Sequence, residues 1–372
     1  MNVKTPIALL GGISPELFMQ KFWQKKPLVI RAAVPGLQPL VPRDALFAMA
    51  ADEAVESRLV ERKNDKWSFK QGPFDKTPPL KRADWTLLVQ GVDLHHDGVH
   101  NLLQQFRFVP DARLDDVMIS YATQGGGVGP HFDSYDVFLL QAIGRRRWRI
   151  GAQKDLSLRG DVPLKILANF TPTQEFDLGP GDMLYLPPRY AHDGVALDND
   201  CQTYSIGFRA PSTEELAREL MHRVADEIEN EALYTDRTQG ATAQPGAIPT
   251  ELQSFASQAV AKALADPTLM QQILGEYLTE PKNNVWFDAA EKSGKAPKKY
   301  QAVRLDRRSR MMYDAKHVYL NGDSWKVAGK DAKLLRKLAD ARRLDAQDLA
   351  GLSPALATAL GQFIEQGWLH DE

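Results

Sequence analysis

The chain has 372 residues, 43% of them hydrophobic and 25% charged, with a net charge of -2. That length predicts two or three cores, and so small a net charge excludes a global field that would draw in nucleic acid or a membrane surface. Cys201 is the only cysteine, which excludes an internal disulfide; the short apolar run Ile7 to Leu10 lacks the cationic start of a signal peptide, and no run nears the roughly 18 apolar residues of a membrane span, so the expected location is cytoplasmic.

Residues 1–210 hold most of the Gly and Pro punctuation, together with short β-rich runs: "DVMISYAT", "YDVFLLQAI", "RRWRIG", "DMLYLP" and "QTYSIGF". Short strands between turn residues predict a β barrel or sandwich with helical decoration. Across 211–282 the texture becomes helical. Ser212 and Glu215 have the spacing of a capping box at the head of a long helix-favouring run, a Gly, Pro, Thr and Gln-rich connection follows, and two more helical stretches flank Pro267. The natural use of such a unit is packing against the barrel or against a second copy of itself. Across 283–372, "VYLNGDSWKV" places Asn321 and Gly322 between alternating runs, the pattern of a type I′ hairpin, and helical runs follow it. A hairpin with short helices predicts an α+β winged helix.

The stretch "GGGVGPHFDSYD", residues 125 to 136, could be a phosphate loop or the approach to a metal site. A phosphate loop needs Lys and Ser or Thr after its last glycine, with a helix behind, whereas Gly129 is followed by Pro-His-Phe-Asp. The metal reading is stronger. Three ligands on one octahedral face, two histidines and a carboxylate, suit non-haem iron(II) and leave three positions open. If "HFDSYDVF" is a strand, alternation puts His131, Asp133 and Tyr135 on one face, and the glycines let the chain bend into it. The third ligand should come from a distant strand: "LGPGDMLYLPPRYAHDG" supplies a tight turn, a strand, two prolines and then His192, as a cupin barrel does. His95, His96 and His100 lack such a frame and are expected in a solvated helix end or loop.

A 2-oxoglutarate-using iron oxygenase needs a fixed cation for the far carboxylate of that cosubstrate. In "GRRRWRI", alternation groups Arg146 with Trp148 and Ile150 on the buried face, so Arg146 is the inward candidate, the alternative being a structural ion pair. Arg145, Arg147 and Arg149 then face solvent or form a basic patch for an RNA-rich partner. In "RLDDVMISYAT", Asp116, Met118 and Ser120 share a face, and a carboxylate beside a thioether suits a cationic side chain with an aliphatic stem.

Together with "FWQKKPLVIR" and "YSIGFRAP", these stretches resemble the JmjC-type ribosomal oxygenases, and most closely the bacterial ribosomal protein arginine hydroxylases. The resemblance spans the whole chain. It implies a double-stranded β-helix (cupin/JmjC) catalytic core over 1–210, an all-α helical dimerisation region over 211–282 and a winged helix over 283–372. It also implies a 2-oxoglutarate- and Fe(II)-dependent oxygenase, consuming O₂, that hydroxylates the β-carbon of an arginine in the large-subunit ribosomal protein L-sixteen. By position, His131, Asp133 and His192 match the family's metal ligands and catalytic centre, and Arg146 its 2-oxoglutarate ligand. Asp116, Met118 and Tyr135 match its substrate-arginine pocket, and Ser205 lies on a strand that could border it. The alternatives are a JmjC oxygenase with another target, a histidyl hydroxylase or lysine demethylase, or a regulator in which a ligand-sensing cupin serves a DNA-binding winged helix. "SPALATALGQFIEQGW" contains no Lys or Arg, so direct DNA binding is not expected.

Overall fold

The structure is a computed structural model that describes residues 2–64, 66–228, 232–289 and 301–372. It divides into two compact units, Met1–Ala210 and Pro211–Glu372.

In the first unit, helices α1 (Pro15–Lys21), α2 (Arg43–Ala50) and α3 (Asp97–Gln104) accompany eleven strands. These are β1 (Leu28–Ile30), β2 (Ser57–Lys63), β3 (Lys66–Gln71), β4 (Trp85–Val89), β5 (Leu114–Ala122), β6 (Val137–Ile143), β7 (Arg146–Gly151), β8 (Gln174–Leu178), β9 (Met183–Leu186), β10 (Ala191–Ala196) and β11 (Cys201–Phe208). Eight form one sheet in the order β1-β9-β6-β11-β5-β4-β2-β3, and three form a second in the order β10-β7-β8. The pairings within both sheets are antiparallel.

Period-2 alternation assigns the two faces of the large sheet different tasks. Trp85, Leu87 and Val89 of β4, Val117, Ile119 and Tyr121 of β5, Phe138 and Leu140 of β6, and Tyr204, Ile206 and Phe208 of β11 pack in one core with Phe18, Leu46, Leu102 and Phe106. The opposite face of β6 and β9, with Val137, Leu139, Leu184 and Leu186, packs against Trp148, Ile150 and Leu178 of the small sheet. A strand covered on both faces reads as a continuous apolar run, which is why "VFLLQAI" lacks a polar alternation. The interior between the sheets is therefore lined by the residues left over: Thr86 and Leu88 of β4, Asp116, Met118 and Ser120 of β5, and Thr203 and Ser205 of β11.

In the second unit, α4 (Thr213–Asp226) opens on the expected capping box of Ser212 and Glu215, and α5 (Thr250–Ala263) and α6 (Pro267–Thr279) follow. The remainder comprises β12 (Val303–Leu305), β13 (Met311–Tyr313), β14 (His317–Leu320), β15 (Asp323–Lys326), α7 (Gly329–Ala341), β16 (Arg343–Leu344), α8 (Ala346–Leu349), α9 (Pro354–Glu365) and β17 (Leu369–Asp371). The β14–β15 hairpin turns at Asn321 and Gly322 with φ of 52° and 98°, as a type I′ turn requires. Its outer side carries α6: the Tyr319 hydroxyl donates to the Gln271 carbonyl at 3.3 Å, and a Cβ on Gly275 would lie 2.3 Å from the Tyr319 ring. A single core built on Leu320, Leu338, Leu344, Leu360 and Leu369 joins the winged-helix elements. Among the described residues, no helix is long and apolar enough to cross a membrane.

Candidate active site

His192 lies on β10, and His131 pairs with it through an antiparallel bridge: the His131 N–H donates to the His192 carbonyl at 2.9 Å, and the His192 N–H returns the bond at 2.8 Å. The imidazole centroids are 4.2 Å apart, and Asp133 Oδ2 is 3.6 Å from His192 Nε2. One ligand atom from each of these three residues falls within 4.8 Å of the others, the only such His, Cys, Asp or Glu cluster among the described residues. Both imidazoles are oriented by their other nitrogen, His131 Nδ1 lying 2.9 Å from the Gly129 carbonyl and His192 Nδ1 2.8 Å from that of Tyr190. A carbonyl only accepts, so each Nδ1 carries a proton, which leaves Nε2 as the nitrogen each ring can offer to a metal. Burial, with His131 beside it, lowers the His192 pKa to about 4, so its ring is neutral near pH 7.

The route by which these residues meet differs from the one the sequence suggests. "HFDSYDVF" is not a strand: β6 begins at Val137, and between His131 and Asp136 the chain is irregular. The reason lies in where its polar groups are satisfied. The Arg189 N–H donates to the Asp133 carbonyl at 2.7 Å, while the buried Asp136 carboxylate accepts from the Tyr185 hydroxyl at 2.7 Å and from Gln24 Nε2 at 3.0 Å. The loop is thus fixed by side chains and a turn instead of a ladder. The glycines before it provide clearance: a Cβ on Gly126 would lie 2.3 Å from the Trp85 carbonyl oxygen, and one on Gly127 2.5 Å from that of Gly194.

Arg146, on β7, faces the same cavity and is 4% exposed. Its Nη1 reaches the Gly194 carbonyl only at 3.4 Å, and Nε and Nη2 have no hydrogen-bond partner among the described residues. A buried guanidinium with two orphaned donors can take an anion, and no carboxylate among the described residues forms an ion pair with it. The outward arginines are partnered: Arg145 with Asp198 at 3.0 Å, Arg147 with Asp177 at 2.7 Å, and Arg149 with Asp193. They form ion pairs and not an open basic patch.

The cavity, about 150 Å³, also contains Asp116, Met118, Tyr135 and Ser205, so all eight residues singled out in the sequence meet in one place. Ser205 sits opposite Met118 across the β11–β5 ladder. Asp116 is 3% exposed, and its Oδ2 accepts from Gln90 Nε2 at 2.6 Å and from the Gly91 N–H at 3.1 Å. Tyr135 is 39% exposed, and burial with the Asp133 carboxylate beside it pushes its phenol pKa up. The sequence reading missed Gln90, together with Thr86 and Leu88 of β4. The period of "WTLLVQ", with Trp85, Leu87 and Val89 on the other face, was the available signal. His95 and His96 stand half-buried at the N-terminal end of α3, the helix end expected for them, whereas His100 is buried within the helix and departs from the solvated position expected.

A two-sheet β barrel that brings two histidines and a carboxylate to its interior beside a buried, unpaired arginine defines a cupin-type oxygenase of the JmjC class. Comparisons with known proteins agree: a JmjC domain family matches residues 101–216, and a ROXA-like winged helix family matches 262–370. The ribosomal protein uL16 3-hydroxylase of Escherichia coli is 32% identical over 94% of this chain and 96% of its own length. A crystal structure of E. coli ycfD superposes with a TM-score of 0.85 at 30% identity, covering 96% of this chain and 98% of that one. YcfD, a ribosomal oxygenase, in complex with cobalt and 2-oxoglutarate, superposes with a TM-score of 0.83 at the same identity and coverage. The chain belongs to the family of these bacterial ribosomal oxygenases.

Proposed function

We propose that the protein is a 2-oxoglutarate- and Fe(II)-dependent oxygenase that hydroxylates the β-carbon of one arginine in ribosomal protein uL16, the L-sixteen of the large subunit. The observation that carries the reading is the orphaned Arg146 guanidinium in the cavity that holds the His131, Asp133 and His192 cluster. The donor set fits Fe(II): two imidazoles, each with Nδ1 engaged by a backbone carbonyl, and one carboxylate. When bound, the metal and its cosubstrate supply oxidative decarboxylation of 2-oxoglutarate and transfer of one oxygen atom from O₂ to the substrate carbon. The residues of the chain do the rest. Arg146 holds the far carboxylate of 2-oxoglutarate through two parallel hydrogen bonds. Asp116 receives the substrate guanidinium, Met118 and Tyr135 line its aliphatic stem, and Ser205 borders the same groove. Holding the carbon beside the metal in a narrow cavity replaces a bimolecular encounter by a fixed geometry.

A ribosomal substrate sets the enzyme in the cytoplasm. The helical stretch 211–282 serves as a dimerisation region: α5 has no buried residue, and Met221 of α4 with Phe255 and Val260 of α5 expose apolar surface that a second copy would cover. Val260→Asp should convert a dimer to a monomer in sedimentation experiments, and an unchanged mass would reject that role. The direct test of the reaction incubates the protein aerobically with Fe(II), ascorbate, 2-oxoglutarate and uL16. One arginine should gain the mass of one oxygen atom, and His131→Ala should abolish the gain; unmodified uL16 with the active-site residues intact rejects the proposal.

A further inference from the structure

Gln90 lies immediately after β4, and both ends of its side-chain amide are engaged. Arg58 Nη2 donates to Gln90 Oε1 at 3.2 Å, and Gln90 Nε2 donates to Asp116 Oδ2 at 2.6 Å. The guanidinium can only donate, so the amide oxygen must face Arg58 and the amide nitrogen must face the carboxylate. Arg58 is held from behind by Glu56, whose Oε1 accepts from Arg58 Nη2 at 2.7 Å and from Nε at 3.1 Å. The Gln90 N–H in turn donates to the Glu56 carbonyl at 2.9 Å. Four side chains, Glu56, Arg58, Gln90 and Asp116, thus form one chain of hydrogen bonds running from the surface end of β2 into the cavity.

We infer that Gln90 is the positioning residue of the substrate pocket: it aims the Asp116 carboxylate and keeps Arg58, a resident guanidinium, from occupying the place of the substrate's own. The inference rests on the reading of Asp116 as the guanidinium acceptor. Arg58 and the proposed substrate carry the same group, and Arg58 stands one side chain away from the carboxylate that would bind either. Gln90 is a neutral spacer, its amide nitrogen matched to the carboxylate on one side and its amide oxygen to the guanidinium on the other. It lines the cavity itself, so its removal opens the space between Arg58 and Asp116.

A merely structural Gln90 and a spacer make different predictions when Arg58 is also removed. In steady-state hydroxylation of uL16 by the full-length enzyme, Gln90→Ala should raise KM for uL16 about tenfold, as expected for a lost hydrogen bond to a charge, with a smaller change in kcat. Adding Arg58→Met should bring KM back toward the original value, because the competing guanidinium is gone. Gln90→Met, which keeps the bulk while removing the hydrogen bonds, guards against a folding defect and should raise KM in the same direction with an unchanged melting temperature. An unchanged KM in Gln90→Ala, or a raised KM that Arg58→Met leaves raised, overturns the inference. If the unsubstituted enzyme leaves uL16 unmodified, the functional reading itself has failed, and that outcome is distinct from either result.

Discussion

Arg146 offers a sharp test because stability and binding should move in opposite directions. Its guanidinium is 4% exposed, has one long bond to the Gly194 carbonyl at 3.4 Å and leaves Nε and Nη2 unsatisfied, with the Trp148 ring 5.8 Å from Cζ. Replacing a poorly compensated buried charge with an apolar residue of similar volume is often stabilising by about 1–4 kcal/mol. Arg146→Met should therefore leave the ligand-free protein at least as stable, with a melting temperature equal or higher by several degrees at about 2–4 °C per kcal/mol. The cost falls on 2-oxoglutarate. Breaking a buried, hydrogen-bonded charge pair costs about 3–5 kcal/mol, which at about 1.4 kcal/mol per decade is a loss of affinity of roughly a hundredfold to a few thousandfold. Arg146→Lys keeps the charge without the planar fork and should fall between the two. Thermal melts with and without 2-oxoglutarate, in the presence of redox-inert zinc, read both quantities in one experiment. The reasoning is refuted if Arg146→Met melts well below the parent protein while 2-oxoglutarate still raises its melting temperature by the parental amount.

Two further predictions concern clearance and charge. Gly127→Ala sets a Cβ 2.5 Å from the Gly194 carbonyl oxygen, two residues from His192; it should destabilise the protein by about 1–3 kcal/mol and weaken metal binding about tenfold, as a displaced orienting group does. Parental metal affinity in a metal titration would show that the backbone approach is not needed. In the second unit, Asp306 is 4% exposed; burial alone would raise its pKa, but hydrogen bonds from Arg308 and His370 outweigh burial and lower it to about 2. A carboxylate with a depressed folded pKa stabilises above its unfolded value of about 3.9, and that contribution is lost as pH falls through about 2. Asp306 should accordingly contribute about 2 kcal/mol at neutral pH. Melts of Asp306→Asn between pH 6 and about 2 should show a flatter pH dependence, and curves parallel to the parent's would exclude the pair.

The sequence made the grouping of the cavity residues legible but not the path of the chain between them. Arg146 was recoverable because strand periodicity held: its neighbours Trp148 and Ile150 are buried as alternation requires, and β7 is a regular strand. Asp116 and Met118 were recoverable for the same reason on β5. The grouping of His131, Asp133 and Tyr135 was right in outcome and wrong in cause. Spacing suggested a strand, whereas the loop is shaped by Asp136 turning inward to Tyr185 and Gln24, partners 49 and 112 residues away in sequence. No local pattern encodes such a pairing. Gln90 was missed because a polar residue at the end of an apolar run reads as a strand terminus, and its task becomes visible only once β2 supplies Arg58 and β5 supplies Asp116.

On the proposed roles, the positions of these groups separate chemistry from selectivity. His192 and Arg146 lie on the small sheet and His131 is bridged to it, whereas Asp133 stands in the irregular stretch that leads into β6 of the large sheet. Gln90, Asp116 and Met118 belong to β4, β5 and their edges on the large sheet. On those roles, a substitution on β4 or β5 should change which side chain enters the cavity without moving His131 or His192, whereas a change in β7 or β10 should act on the reaction itself. Asp116 is the point of greatest leverage in this division. Converting it to Asn keeps an acceptor for Gln90 Nε2 and the Gly91 N–H but removes the charge opposite the substrate. Asp116→Asn should therefore lose turnover of an arginine substrate while retaining the binding of metal and 2-oxoglutarate, measured by titration. Loss of all three together would place Asp116 in the scaffold instead of the pocket.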